Sequence, residues 1–162
     1  MPRVYVGIGS NIQPEANVRA GIGGLRAHFG SLRVSPVYRT AAVGFVADDF
    51  YNLVAAFDTE LDVHAVVAVL REIEQRRGRA RGGARFSSRT LDIDLLLYGE
   101  AVVEHPELCL PRPEITRYAF VLRPLADLAP SLRHPLLGVS VAELWAGFDA
   151  AEQAMVPVAL EL

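Results

Sequence analysis

The chain alternates short runs of two-residue periodicity with longer stretches of helical spacing. Val4 to Ile8 is a β-branched run ending at Gly9-Ser10-Asn11, a turn signal, so a first strand is expected there. Pro14 to Phe29 carries Val18, Ile22, Leu25 and Phe29 on one stripe, the spacing of a helix packed on a core. Pro14 suits the first turn of that helix, and Gly30 stands where a C-cap is expected. Leu32 to Tyr38 reads as a strand in which Pro36 marks an edge or a bulge. Thr40 to Asp49 reads as a loop, and Tyr51 to Thr59 as a strand with Leu53, Ala55 and Phe57 alternating. Asp62 to Arg77 is a strong helix, with Val66, Val69, Leu70 and Ile73 as its buried stripe, Asp62 as N-cap and Gly78 as its stop. Leu91 to Tyr98 is the most apolar strand and is expected at the centre of a sheet. Ile115 to Leu122 fits a helical turn or a short strand, Ser140 to Phe148 a last helix, and Val156 to Leu162 a strand or a frayed tail.

The order β-α-β-β-α-β followed by an extra helix matches a ferredoxin-like α+β sandwich, an antiparallel sheet with helices on one face plus a C-terminal helical extension. With no internal repeat or linker-like segment, residues 1–162 read as a single domain.

Composition narrows the chemistry. A hydrophobic fraction of 51% supports a real core, and a net charge of −3 gives no basic field of the kind nucleic-acid partners need. All 16 residues in the Lys+Arg total are arginine. The absence of lysine excludes a P-loop lysine, a Schiff-base lysine and a kinase-type ATP-clamping lysine. Any phosphate must therefore be held by arginine, metal or backbone amides. The single Cys109 forms no internal disulfide and fits a reducing cytoplasm. No stretch approaches the roughly 20 apolar residues needed to cross a bilayer. The four histidines, His28, His64, His105 and His134, share no metal-ligand spacing and read as surface or structural.

The richest chemistry lies between Arg79 and Gly99. On a strand, Asp92 and Asp94 point the same way and Ile93 the opposite way. Two parallel carboxylates repel unless a cation sits beside them, and Mg²⁺ is the natural hard, oxygen-seeking occupant. Solvated carboxylates on a strand face are the plainer reading, which the apolar flanks Leu91, Ile93, Leu95, Leu96 and Leu97 oppose. Arg76 and Arg77 suit a helix C-terminus, whereas Arg79, Arg81, Arg85 and Arg89 sit in a Gly- and Ser-containing loop where guanidinium groups can grip phosphate bidentately. Glu74 reads equally as a surface partner of Arg77. Phe50 and Asn52, two apart on a strand, combine a stacking face with an amide, which suits a flat heterocycle; Phe86 and Phe120 are further stacking candidates, with core packing as their plainer role. Gly7-Ile8-Gly9 is a lone G-x-G without the rest of a dinucleotide fingerprint and is set aside.

Arg89-Thr90-Leu91-Asp92-Ile93-Asp94-Leu95-Leu96-Leu97 resembles the signature of the 6-hydroxymethyl-7,8-dihydropterin pyrophosphokinase family. Further matching segments follow in order: G-I-G-S-N at the start, Y-R-T ending at Thr40, Phe50-x-Asn52, I-E-Q-R-R-G-R from Ile73, and A-F-V-L-x-P-L from Ala119. The resemblance implies a ferredoxin-like fold, ATP as co-substrate and two Mg²⁺ ions. It also implies transfer of a whole pyrophosphate to the pterin's hydroxymethyl oxygen, with release of AMP. Asp92 and Asp94 match the metal ligands, and Arg79 and Arg89 the catalytic loop arginines. Thr40, Val43, Phe50, Asn52, Phe86 and Phe120 match the pterin side, Phe86 standing where many members carry tryptophan. Arg71, Glu74, Arg81, Leu95 and Arg112 fall on the ATP side. There the chain departs from the pattern: Arg71 replaces a usual amide, Pro111-Arg112-Pro113 replaces P-H-P or P-H-Y, and Tyr118 replaces an arginine. The implied partners are ATP and a reduced pterin, without nucleic acid or membrane, in a cytoplasmic monomer or weak homodimer. Two other classes are a non-catalytic pterin- or nucleotide-binding paralogue and a ferredoxin-like RNA-binding module, which needs an open sheet face bearing aromatics and basic residues.

Overall fold

The chain folds around β1 (Arg3–Ser10), which lies between β4 (Phe50–Asp58) and β5 (Asp92–Tyr98) and is antiparallel to both. This computed structural model describes residues 1–42, 48–78, 90–151 and 153–162. The sheet continues outward from β4 through β3 (Val37–Thr40) to β8 (Met155–Val158), giving the order β5-β1-β4-β3-β8, while β2 (Arg33–Val34) also pairs with β4. A separate hairpin joins β6 (Val103–His105) and β7 (Leu108–Leu110).

Alternation along the inner strands divides two cores. Val4, Val6, Ile8, Leu53, Ala55, Phe57, Ile93 and Leu95 face α1 (Pro14–Phe29) and α2 (Val63–Arg76). These helices contribute Val18, Ile22, Leu25, Val66, Leu70 and Ile73. Tyr5, Val54, Ala56, Leu96 and Leu97 face the other way, against α3 (Ala119–Leu128), α4 (Val141–Ala146) and a 3-10 turn (Pro113–Thr116). Each fully buried leucine or isoleucine stabilises the fold by about 1.5–3 kcal/mol. The caps are those the sequence predicts: Asp62 accepts from the Ala65 amide at 2.8 Å, and Gly30 takes φ 78° after α1.

The βαββαβ order is as expected, but several particulars differ. The 91–98 strand is not central: among the described residues β5 pairs with β1 alone and lies at the edge of the sheet. Its apolar run Leu95-Leu96-Leu97 reflects cover on both faces, and a bulge opposite Tyr5/Val6 puts Leu96 and Leu97 together on the α3 side. Helices cover both faces, because α3 and α4 occupy the one the ferredoxin-like pattern leaves open. Among the described residues, α3 and α4 thus cover much of the face on which an RNA-binding module would stack bases. The 32–38 strand is split at Ser35-Pro36. Val34 lies opposite Ala55 and Tyr38 opposite Asn52, so one extra residue is accommodated there, and Ser35 Oγ accepts from the Val54 amide at 2.8 Å. The 115–122 segment is helical in two pieces, the end of the 3-10 turn at Thr116 and the start of α3 at Ala119, and α3 runs on through Pro124 to Leu128. The tail pairs as β8 with β3, and the β6–β7 hairpin carried no sequence signal strong enough to be expected.

Candidate functional site

Three strands bring the candidate residues together. In the register of the sheet, Gly9 on β1 has Asn52 beside it on β4 and Asp92 beside it on β5. Tyr5, Gly7 and Gly9 alternate with the core residues Val4, Val6 and Ile8, so Asn52, Gly9, Asp92 and Asp94 share the α3-side face. Ile93 is 2% exposed and points into the opposite core. The same-face reading of the aspartates thus holds. The dry surroundings expected for them do not, since Asp94's side chain keeps 37% of its exposure at the sheet edge.

Among the described residues, Arg112 places a cation beside this pair. Its amide donates to the Leu96 carbonyl of β5 at 3.0 Å, which fastens the segment after β7 to the sheet edge. Its Nη2 lies 3.5 Å from Asp94 Oδ1, and its Nε lies 2.7 Å from Glu114 Oε2, an ion-pair distance without hydrogen-bond alignment. Burial alone would lower the Arg112 pKa. The carboxylates of Asp94, Glu114 and Asp92 outweigh that and hold it above the ordinary arginine value.

Glu74 is not a surface residue. It is 1% exposed on α2, and its Oε2 accepts from the Ile93 amide at 2.9 Å. A helix carboxylate therefore grips the peptide between the two aspartates. Arg71, one turn earlier, is exposed. Leu95 is 4% exposed in the α1/α2 core, facing away from Asp94, so it can meet a nucleotide only through its main chain.

On the other flank, Asn52 Nδ2 donates to Thr40 Oγ1 at 2.7 Å, with both residues buried. This bond orients the carboxamide from the β3 side. Phe50 is half-buried at the start of β4, and Phe120, in the first turn of α3, stacks on Tyr118 with centroids 5.0 Å apart. Val43, Arg79, Arg81, Phe86 and Arg89 lie outside the described residues.

Two residues of the opening turn have a larger part than the sequence reading gave them. Ser10 is fully buried, and its Oγ meets the Thr90 carbonyl at 2.5 Å, just before β5. Asn11 Nδ2 donates to the Asp48 carbonyl at 3.2 Å. The turn therefore fixes the chain on both flanks of the site. A Ser-Asn pair following a strand was the available signal, because such side chains bond neighbouring backbone.

Residues 5–130 match the family 7,8-dihydro-6-hydroxymethylpterin-pyrophosphokinase (HPPK). The chain is 41% identical over 138 residues to the 2-amino-4-hydroxy-6-hydroxymethyldihydropteridine pyrophosphokinase of Pseudomonas aeruginosa, covering 82% of this chain and 84% of that protein. It is 40% identical over 153 residues to the protein of the same name from Methylorubrum extorquens, covering 92% and 95%. Its fold resembles a crystal structure of an HPPK-DHPS protein in complex with substrates, with a TM-score of 0.73 at 11% identity. That likeness covers 93% of this chain and 44% of the longer one. The ordered motifs, the fold and these matches together show that the chain belongs to the 7,8-dihydro-6-hydroxymethylpterin-pyrophosphokinase family.

Proposed function

We propose that this chain transfers the pyrophosphate of ATP to the hydroxymethyl oxygen of 6-hydroxymethyl-7,8-dihydropterin, an enzymatic step of folate biosynthesis, as its family membership supports. The hydroxymethyl oxygen attacks the β-phosphorus in line. A new O–P bond forms, the bridging bond to the α-phosphate breaks, AMP leaves, and the hydroxyl proton is lost. The observation that carries the reading is the side-by-side row of Asn52, Gly9 and Asp92. At strand spacing, the backbones of Asn52 and Asp92 stand roughly 10 Å apart. An amide reader and a carboxylate pair thus flank a strip suited to a flat ring with a short alcohol arm.

Asp92 and Asp94 would hold two Mg²⁺ ions. The donor set fits, since Mg²⁺ takes one or two carboxylates, keeps waters and completes its shell with substrate phosphates. Among the described residues no three His, Cys, Asp or Glu side chains gather as a metal cage, which suits an ion that arrives with phosphate oxygens. When bound, the ions neutralise charge developing on the transferred group. Glu74 holds the Ile93 peptide and thereby anchors the strand that carries the aspartates, while Arg71, Arg81, Arg112 and the Leu95 main chain take the nucleotide side. Arg79 and Arg89 would contact the phosphates during turnover. Thr40, Val43, Phe50, Asn52, Phe86 and Phe120 would line the pterin.

We read residues 1–162 as one domain, cytoplasmic and monomeric or weakly dimeric. No helix among the described residues is long and apolar enough to cross a membrane. The test is purified protein with ATP, Mg²⁺ and the reduced pterin: AMP should appear only when all three are present. Release of ADP, or no AMP with any divalent metal, overturns the reading.

A further inference from the structure

We propose that Gly9 is a positioning residue for pterin recognition, selected because any side chain there would displace the Asn52 carboxamide. This rests on the functional reading above and gives a role to the second glycine of Gly7-Ile8-Gly9. Gly9 is not among the positive-φ glycines, so its backbone suits any residue and conformation does not explain the glycine. Space does. A Cβ built on Gly9 would lie 2.8 Å from Asn52 Oδ1 and 3.7 Å from Phe50 Cδ1. The first distance is closer than packed atoms tolerate.

Asn52 cannot yield freely. Its Nδ2 is held by Thr40 Oγ1 at 2.7 Å, its backbone lies in β4 opposite Gly9, and it is 8% exposed. The carboxamide is thus seated between a hydroxyl on β3 and the bare backbone of β1. Rotating it away from a methyl on Gly9 breaks the Thr40 bond and turns the oxygen and nitrogen out of register with an amide-like ring edge. Gly7, two residues earlier on the same strand, provides the contrast. A Cβ there meets Leu96 at 3.6 Å or more, which is ordinary contact.

The experiment compares Gly9→Ala, Asn52→Ala, the double variant and Gly7→Ala by calorimetric titration with the reduced pterin in the presence of a non-hydrolysable ATP analogue and Mg²⁺, with melting temperature followed in parallel. Gly9→Ala should lose about 10- to 100-fold in pterin affinity while nucleotide affinity is unchanged. In the Asn52→Ala background the clash partner is gone, so adding Gly9→Ala should cost little further affinity. Gly7→Ala should bind the pterin like wild type. If Gly9→Ala alone fails to fold, Asn52→Ala should restore its melting temperature, which supports the same geometry. Equal pterin affinity in Gly9→Ala, or losses that add fully in the double variant, overturns the inference alone. A wild-type protein that binds no pterin overturns the functional reading, and this inference with it.

Discussion

Replacing Glu74 with alanine removes the acceptor that holds the Ile93 amide. Both residues are almost wholly buried, at 1% and 2% exposure, so no solvent stands ready to take over the bond. A hydrogen bond to a charged group contributes about 1.5–3 kcal/mol, and a buried donor left without its acceptor costs about 1–3 kcal/mol. Relief from burying a carboxylate offsets part of this. A net loss of ~2 kcal/mol is expected, read as a lower urea midpoint with an unchanged slope. Glu74→Gln keeps an oxygen at the same reach and should lose less than half as much. The Ile93 peptide lies between Asp92 and Asp94, so Glu74→Ala should also weaken binding of Mn²⁺·ATP, measured by electron paramagnetic resonance. An alanine variant within ~0.5 kcal/mol of wild type, or one as metal-competent as wild type, would refute the claim that α2 sets the geometry of the aspartate pair.

Asp94→Asn should lower turnover about a thousand-fold or more, since it removes a charged oxygen from the metal and phosphate side; near-normal turnover would remove the metal role. Arg112→Gln removes the cation 3.5 Å from Asp94, so Mn²⁺ should bind the protein alone several-fold more tightly while ATP binds more weakly. No change in either affinity would show that Arg112 competes for neither. His134 accepts from the amides of Leu136 and Leu137 through Nδ1, and burial holds its pKa below the ordinary histidine value. The unfolded chain then binds the proton more readily, so stability is fully present above the unfolded pKa of about 6.5 and falls as pH drops toward the lower folded value. Urea midpoints at pH 8 and pH 5.5 should show this fall in wild type and a smaller one in His134→Gln; equal falls would sink the assignment.

The helices were legible because each carries both a stripe and a stop: Val18, Ile22 and Leu25 with Gly30 after them, and Val66, Leu70 and Ile73 between Asp62 and Gly78. The position of β5 was not legible. An apolar run reports cover on both faces, and Leu91 to Leu97 reads alike whether a strand or solvent lies at its edge. Pro124 concealed the length of α3, because proline argues against a helix interior yet is tolerated when the surrounding face is buried against the sheet. At the site, the spacing of Asp92 and Asp94 announced itself, as did Phe50 and Asn52. What spacing cannot carry is a contact between distant segments. The Glu74 bond to Ile93, the Arg112 ion pair with Asp94 and the seat of Asn52 against Gly9 arise only when α2, β1, β4, β5 and the turn after β7 converge.

If the aspartate face of β5, opposite Asn52 across β1, carries pyrophosphoryl transfer to a pterin alcohol, phosphorus NMR of one reaction mixture will separate wild type from Asp94→Asn run side by side. Wild type should convert ATP and the reduced pterin into AMP and a pterin diphosphate in equal amounts, with both signals absent from the variant. A pterin monophosphate with ADP, or equal product from both proteins, would contradict it.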